Sequence, residues 1–387
     1  MGAKLPAGVV ALGLVSLFMD MSSELIHALL PLYLTGALGA TALAVGLIEG
    51  LGEAMAQVAK LFSGRLSDVM GRRKPLVVLG YGLSAVTKPL FALAGSPALV
   101  LSARLADRLG KGLRGAPRDA LVADMVPPEA RGAAYGLRQS MDSIGAFAGP
   151  LLAVILMLAL NGNFQVIFAL ATLPALISVA ILVRYVKEPP RQAPSRPVPR
   201  LDWASLSRLG PGVRIAIALG SIMTLARISE AFLILRAVEV GMEEAHAPLV
   251  LVAMNLVYLT TSWPAGILSD RVGKAGLLGL GLAVLVAADL CLAFGTGLGA
   301  VMAGVGLWGL HMGLTQGLLS ALVADATPAP LRGTAFGIFH LSTGVALLIG
   351  NGVAGAVWAA FGSQAAFALG AGLAALALLA GLALRRP

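Results

Sequence analysis

A chain of 387 residues that is 58% hydrophobic and only 12% charged, with a mean hydropathy of +0.89, carries more apolar surface than one water-soluble core can bury. That excludes a soluble fold and places the chain in lipid. The formal net charge of +9 would suggest nucleic acid as partner in a soluble protein, but here the basic residues fall in alternate loops, and no nucleic-acid role is expected.

The apolar segments are close to the roughly 20 residues that a spanning helix needs. They predict helices over 8–35, 41–63, 75–95, 97–124, 132–159 and 164–186, then over 210–236, 246–266, 275–296, 299–325, 334–360 and 363–385. The first run is too long for the core of a secretory signal and no small-residue cleavage site follows it, so it reads as the first span. Lys4, the basic cluster in 65–74, Arg131, the arginines of 184–208, Arg271, Lys274, Arg332, Arg385 and Arg386 fall on one side. The opposite loops at 35–41, 94–97, 161–163, 296–299 and 361–364 hold no Lys or Arg, and the one at 236–246 is mostly acidic. By the positive-inside rule both termini are cytoplasmic, in a multi-pass protein of the plasma (cytoplasmic) membrane. The stretch 187–208 is too proline-rich for a helix and too polar for lipid, so it reads as a cytoplasmic linker, with Trp203 marking a short interfacial segment. The expected organisation is a first bundle over 1–186 and a second over 209–387. Glycines inside the spans, such as Gly46, Gly50, Gly52, Gly304, Gly306 and Gly309, read as close-packing positions. Cys291, the only cysteine, excludes an internal disulfide and most cysteine metal sites.

The two bundles are copies. Gly64, Leu66, Ser67, Asp68, Gly71 and Arg72 recur as Gly266, Leu268, Ser269, Asp270, Gly273 and Lys274, at an offset of 202. Ala120 to Asp124, with Pro127, Arg131 and Gly132, recurs as Ala321 to Asp325 with Pro328, Arg332 and Gly333, at an offset of 201. The chain is a tandem repeat of two six-span halves.

The turn built on Gly64, Leu66, Ser67, Asp68, Gly71, Arg72 and Arg73 resembles the signature between the second and third helices of the major facilitator superfamily, and its degenerate copy falls between the eighth and ninth. The resemblance covers essentially the whole chain. It implies an all-α membrane protein of twelve transmembrane helices, in two pseudo-symmetric six-helix bundles that rock to expose a central path to each side in turn. It also implies a gating role for Gly64, Asp68, Gly71, Arg72, Asp270 and Gly273, with Asp68 pairing with basic groups and a positive helix end when the cytoplasmic side is closed. The blander alternative is that these residues only orient the turn, and Arg72, Arg73 and Lys74 taken singly read as topology determinants.

An ionisable group at bilayer depth costs about 2.5–3.5 kcal/mol even on permissive scales, so each one is a candidate for function. On the first helix Asp20 and Glu24 are one turn apart. Asp20 falls near the midplane, where taking up a proton is the cheapest way to lose the charge, and it is the first candidate for a proton carrier, with Glu24 in reserve. His27 reads as an interfacial hydrogen-bonding group. The second helix carries Glu49 and Glu53, the former suited to an outer vestibule and the latter deeper, with Gln57 and Lys60 continuing the stripe. The fourth helix carries Arg104, Asp107, Arg108, Lys111, Arg114, Arg118 and Asp119, while the corresponding positions of the tenth, such as Met312, Thr315 and Leu319, are uncharged. The stretch from Arg108 to Ala116 resembles the fourth-helix motif of proton-coupled members, with Lys111 where Gln is usual. Arg104, Arg108 and Lys111 are candidates to face substrate, Arg108 foremost, as a cation that holds a carboxylate ionised or binds an anion. The alternative is a packing ion pair with Asp107 or Asp142.

In the fifth helix Gly145, Gly149 and Pro150 are similar to the motif associated with antiporters of this superfamily, although Ala153 and Val154 replace its trailing glycines. They suit a hinge or a seal against leaks, the alternative being an ordinary proline kink, and Asp142 one turn earlier is a further proton candidate. Arg227 and Glu230, at i and i+3 in the seventh helix, can pair on one face, and with His340 they complete the cavity candidates.

No Walker-type loop, HExxH string or nucleophile elbow occurs, so neither ATP use nor enzymatic chemistry is expected, and no cofactor. The leading expectation is a monomeric secondary transporter driven by the proton gradient, exporting a small organic solute that is anionic or zwitterionic. One alternative is export of a divalent metal or chelate held by Asp20, Glu24, Glu49, Glu53, His27 or His340, which the basic fourth helix disfavours. Another is a lipid-handling or sensory membrane protein.

Overall fold

The structure is a computed structural model that describes residues 5–189, 210–316, 318–327 and 331–383. The proline-rich part of the expected linker, with Trp203, lies outside the described residues. Every regular element among the described residues is helical. In order they are α1 (Ala7–Leu32), continued by a π-helical turn at Tyr33–Ala37, then α2 (Ala42–Met70), α3 (Lys74–Leu93), α4 (Pro97–Asp124) and α5 (Arg131–Ala159). The sixth span is α6 (Phe164–Leu170) with α7 (Thr172–Tyr185), and the seventh is α8 (Pro211–Ala226) with α9 (Glu230–Glu239). There follow α10 (Leu249–Val272), α11 (Lys274–Phe294), α12 (Leu298–Thr315) with α13 (Leu318–Ala326), α14 (Arg332–Phe361) and α15 (Ser363–Ala383). Eleven spans among the described residues are long and apolar enough to cross a membrane. The twelfth, α4, has the length, 28 residues, but carries the seven charges from Arg104 to Asp119.

In lipid every backbone group has to be satisfied within the protein, so the helix ends show how the sequence punctuates the fold. Ser96 accepts from the Leu99 amide at 3.4 Å and Pro97 occupies the first helical position of α4. Asn163 caps α6 through the Val166 amide at 3.2 Å. The seventh span, predicted continuous, is broken at 227–229: Arg227 and Ser229 are extended, and Ser229 caps α9. The freed amide of Ser229 donates to Asn351 Oδ1 at 2.7 Å, so a side chain from α14 meets the need that the break creates. Arg227 and Glu230 therefore do not share one helical face, although they remain within electrostatic range of each other.

The signature also differs from expectation. Residues 64–70 are the last turns of α2, since none of them breaks a helix, and only 71–73 form the turn. Gly71 adopts φ +65° there and Gly273, its copy, φ +77°, a conformation that costs other residues energy.

Contacts divide the chain into two compact units, Met1–Leu30 with Met55–Arg200, and Pro31–Ala54 with Leu201–Pro387. Residues 31–54, which the sequence halves place in the first bundle, thus group with the second unit. The reason is a glycine seam. A methyl group on Gly46 would overlap the carbonyl of Asn351, one on Gly50 would lie 3.0 Å from the Leu348 Cα, and one on Gly355 would lie 2.5 Å from the carbonyl of Ala42. In the first unit the apolar core gathers Leu12, Val15, Met19, Tyr81, Leu121 and Leu182.

The repeat is visible in the packing. In the first unit Gly80 and Gly110 bring α3 and α4 into backbone contact, a methyl on either lying within 2.7 Å of the other's carbonyl oxygen. At the offset of 201 the second unit places Gly281 against His311, whose Nδ1 is 2.7 Å from the Gly281 carbonyl.

Candidate functional site

Charges of α4 divide into two sets. Asp107 pairs with Lys88 of α3 at 2.9 Å, and the lysine also donates to Ser23 at 2.9 Å; both charged groups are almost wholly buried. Arg104 lies 2.9 Å from His27 Nδ1, and Arg114 donates to Ser84 at 2.5 Å with its guanidinium 4.6 Å from the Tyr81 ring centre. Arg104, Arg108 and Arg114 are all buried. Arg104 and Arg108, expected to face the cavity, therefore lie in the interior of the first unit, and His27 is a buried hydrogen-bonding group beside Arg104. Lys111, by contrast, is exposed. Sequence reasoning misses Lys88, whose signal is a lone lysine in the apolar run of the third helix, just before Pro89.

The second set surrounds Asp20, which is half-buried and within electrostatic range of Asp142, Lys111, Arg114 and Arg118. Arg118 donates to Ser16 at 3.1 Å and Tyr81 at 3.3 Å, and pairs with Asp119 at 3.2 Å and Asp142 at 3.8 Å. Arg138, one turn before Asp142 on α5, pairs with it and lies 3.5 Å from Asp119. Asp142, a proton candidate by sequence, is thus held between two arginines, while Asp20 has no ion pair among the described residues.

The separate readings of Asp20, Glu24 and the fifth-helix motif meet in one contact. A methyl on Gly145 would lie 2.5 Å from the Leu17 carbonyl and 3.1 Å from the Asp20 Cβ; one on Gly149 would lie 2.7 Å from the Met21 carbonyl and 2.8 Å from the Glu24 Cβ. The two glycines let α5 touch α1 along the turn that carries both carboxylates. Pro150 is buried within α5, which continues unbroken across it.

At the signature turn Arg73 ties three elements together. It pairs with Asp124 at the end of α4 at 2.8 Å and lies 3.8 Å from Asp68, while Glu188 accepts from the backbone amides of Arg73 and Lys74 at 2.5 and 3.3 Å. A carboxylate at the start of α3 also suits the helix dipole. Arg72 is exposed, so Arg73, which taken singly reads as a topology determinant, is the residue that links Asp68 to the bundle. The second unit repeats the pair at an offset of 201, with Lys274 and Asp325 at 2.5 Å. The side chain of Asp270 lies outside the described residues. Burial separates the two copies, because the Arg73 and Asp124 side chains are 10% and 31% exposed whereas the Lys274 and Asp325 side chains are 36% and 62% exposed. Lys274→Ala is expected to change stability by no more than about 1 kcal/mol, as exposed pairs do. Arg73→Ala, which removes a largely buried guanidinium and its charged hydrogen bond to Asp124, should cost about 1.5–3 kcal/mol; thermal unfolding of the purified variants in detergent checks the contrast.

In the second unit Arg227 donates to the Met312 sulfur at 3.0 Å and lies within electrostatic range of Glu230 and Glu53. Glu49 is buried, and His340 is half-buried with the Phe336 and Phe339 rings 6.3 and 5.7 Å away. Among the described residues no group of three or more His, Cys, Asp or Glu side chains is placed to hold a metal ion, so the metal alternative finds no assembled ligand set.

Eleven apolar spans and the charged α4 among the described residues, in a duplicated all-helical fold with a charged turn repeated in each half, define a multi-pass membrane protein. The chain matches the family model of the Major Facilitator Superfamily over residues 12–235 and 215–387, and it belongs to that family. An MFS-type transporter of Methanocaldococcus jannaschii, MJ1317, is 32% identical over 363 residues, covering 92% of this chain and 89% of the relative. The multidrug resistance protein MdtH of Yersinia pestis is 37% identical over 115 residues, 30% of this chain and 28% of the relative. Among solved structures, a mutant of the nucleoside transporter NupG superposes with a TM-score of 0.82 at 12% identity, covering 98% of this chain and 100% of that one. Such a likeness establishes the fold alone.

Proposed function

We propose that this secondary transporter couples the inward movement of protons to the export of a small organic solute, anionic or zwitterionic, with Asp20 as the proton carrier. The observation that carries the reading is the placement of Asp20: a half-buried carboxyl without an ion pair among the described residues, beside the cations Lys111, Arg114 and Arg118, on the turn where Gly145 and Gly149 bring α5 against α1. Ionised Asp20 can hold the cationic group of a zwitterionic solute whose anionic group meets the nearby cations, and protonated Asp20 cannot. Proton and substrate would then exclude one another, which is the logic of antiport. Lys111, exposed where Arg104 and Arg108 are buried, is the cation best placed to meet the substrate.

Export is supported by the partial match of Gly145, Gly149 and Pro150 to the antiporter motif and by the name of the MdtH relative. The basic loops support a plasma-membrane location with both termini cytoplasmic. The transporter works as a monomer without cofactor, driven by the proton gradient. The test is proton flux in proteoliposomes containing a pH dye, with small anions, zwitterions, lipophilic cations and divalent metals added in turn. A proton signal with anions or zwitterions and none with metals is expected; a signal with metals alone would replace this reading by the metal alternative.

A further inference from the structure

The second unit holds a carboxyl that the proposed coupling does not use. Asp289, near the C-terminal end of α11, is fully buried, and neither of its oxygens has a hydrogen-bond partner among the described residues. An ionised carboxylate cannot stand alone in such a place; it takes up a proton or holds a cation.

The repeat shows how unusual the site is. The offset of 201 that matches the Arg73–Asp124 pair to Lys274–Asp325, and the contact of Gly80 with Gly110 to that of Gly281 with His311, matches Lys88 to Asp289 and Asp107 to Trp308. In the first unit these positions are closed by a buried ion pair at 2.9 Å. In the second they carry a carboxyl without a donor and an indole N–H, also buried, without an acceptor among the described residues. Helix packing alone does not call for a carboxyl here.

Among the described residues no countercharge stands in for the missing lysine. Of the helices packed on α11, α15 has no titratable residue over Ser363–Ala383. On α12, His311 is engaged by the Gly281 carbonyl. On α13, Asp325 is paired with Lys274 at the far end of α11, and α10 offers Tyr258. Arg236 of α9 is spent on the carbonyls of Leu292 and Gly295, and Arg227 on Met312. A metal cation would require several ligands, and no acidic, histidine or cysteine cluster supplies them among the described residues. A proton requires none.

We propose that Asp289 is a proton-binding site of the second unit, which exchanges its proton with water as the seventh span moves and which acts independently of Asp20. The break in that span lies beside it. A methyl on Gly370 would be 2.8 Å from Asp289 Oδ2 and 3.5 Å from the carbonyl of Ala226, the last residue of α8. The helix stops there, so that carbonyl is free of the usual helical partner and lies on the same side of Gly370 as the Asp289 carboxyl. Movement of α8 against α9 about 227–229 would uncover the pair.

Infrared difference spectra of the full-length protein in lipid nanodiscs, recorded between acid and alkaline pH, test this. Wild type should show a protonated-carboxyl band that disappears at alkaline pH. Asp289→Asn should lose that band, Asp20→Asn should keep it, and Asp289→Glu should move it. A band unchanged in Asp289→Asn, or one that persists at every pH, would overturn the proposal, the latter by marking a fixed packing proton. If Asp289→Asn does not fold, Asp289→Glu decides, since an unmoved band excludes the residue. Because the spectra need no transported substrate, failure here leaves the Asp20 reading untouched, and the reverse.

Discussion

Lys88→Ala unfolds at a markedly lower temperature than wild type, with a loss of about 3–5 kcal/mol, because it leaves Asp107 buried without its partner. Asp107→Ala behaves alike, stranding the lysine. The double replacement Lys88→Met with Asp107→Leu recovers most of the loss, since an apolar pair of similar size carries no desolvation cost. Thermal unfolding in detergent, followed by loss of the monodisperse species, gives all three values. If Lys88→Ala matched wild type, the pair would not hold α3 to α4, and the functional weight placed on Asp289 as its unpaired counterpart would fall too.

Gly149→Leu is expected to abolish transport while a substitution elsewhere on the same helix does nothing. At Gly149 even a methyl meets the backbone of α1, with the Leu25 amide at 2.9 Å and the Met21 carbonyl at 2.7 Å. Overpacking of this kind costs about 1–3 kcal/mol where the surroundings give way, and here what gives way is the turn bearing Glu24, with Asp20 one turn off. Gly136, on the same helix, has open space around its α-carbon, so Gly136→Ala should be neutral or stabilising by about 0.5–1 kcal/mol. Transport assays with both variants in parallel separate a local effect at the carboxylates from a general intolerance of α5.

Most of this architecture is legible in the residues. Span lengths, the alternation of basic loops and the offset of about two hundred residues between Asp68 and Asp270 lead to twelve helices in two copies. What the sequence hides are facts of three-dimensional company. Lys88 stands out as a cost in an apolar run, yet nothing in its neighbours names Asp107 as the residue that offsets it. Arg104, Arg108 and Lys111 share a stripe by spacing, but only packing shows that the first two are buried and the third exposed. The break at 227–229 lacks a proline or glycine to announce it; it is made tolerable by Asn351, over a hundred positions away. Residues 31–54 group with the second unit because glycines on two distant helices fit each other, a match that composition cannot register. The link between Gly145, Gly149 and the carboxylates of α1 likewise appears only when both helices are in place.

The central claim is that Asp20 carries the coupling proton. Proteoliposomes with an imposed pH gradient, loaded with whichever substrate class drives proton flux in wild type, test it most directly by comparing uphill movement with exchange at equilibrium. In Asp20→Asn uphill transport should vanish together with the proton signal while exchange continues, because the binding site and the fold remain and only the titrating group has gone. Uphill transport that survives in Asp20→Asn would contradict the account and move the search for the carrier to Glu24 or Glu53.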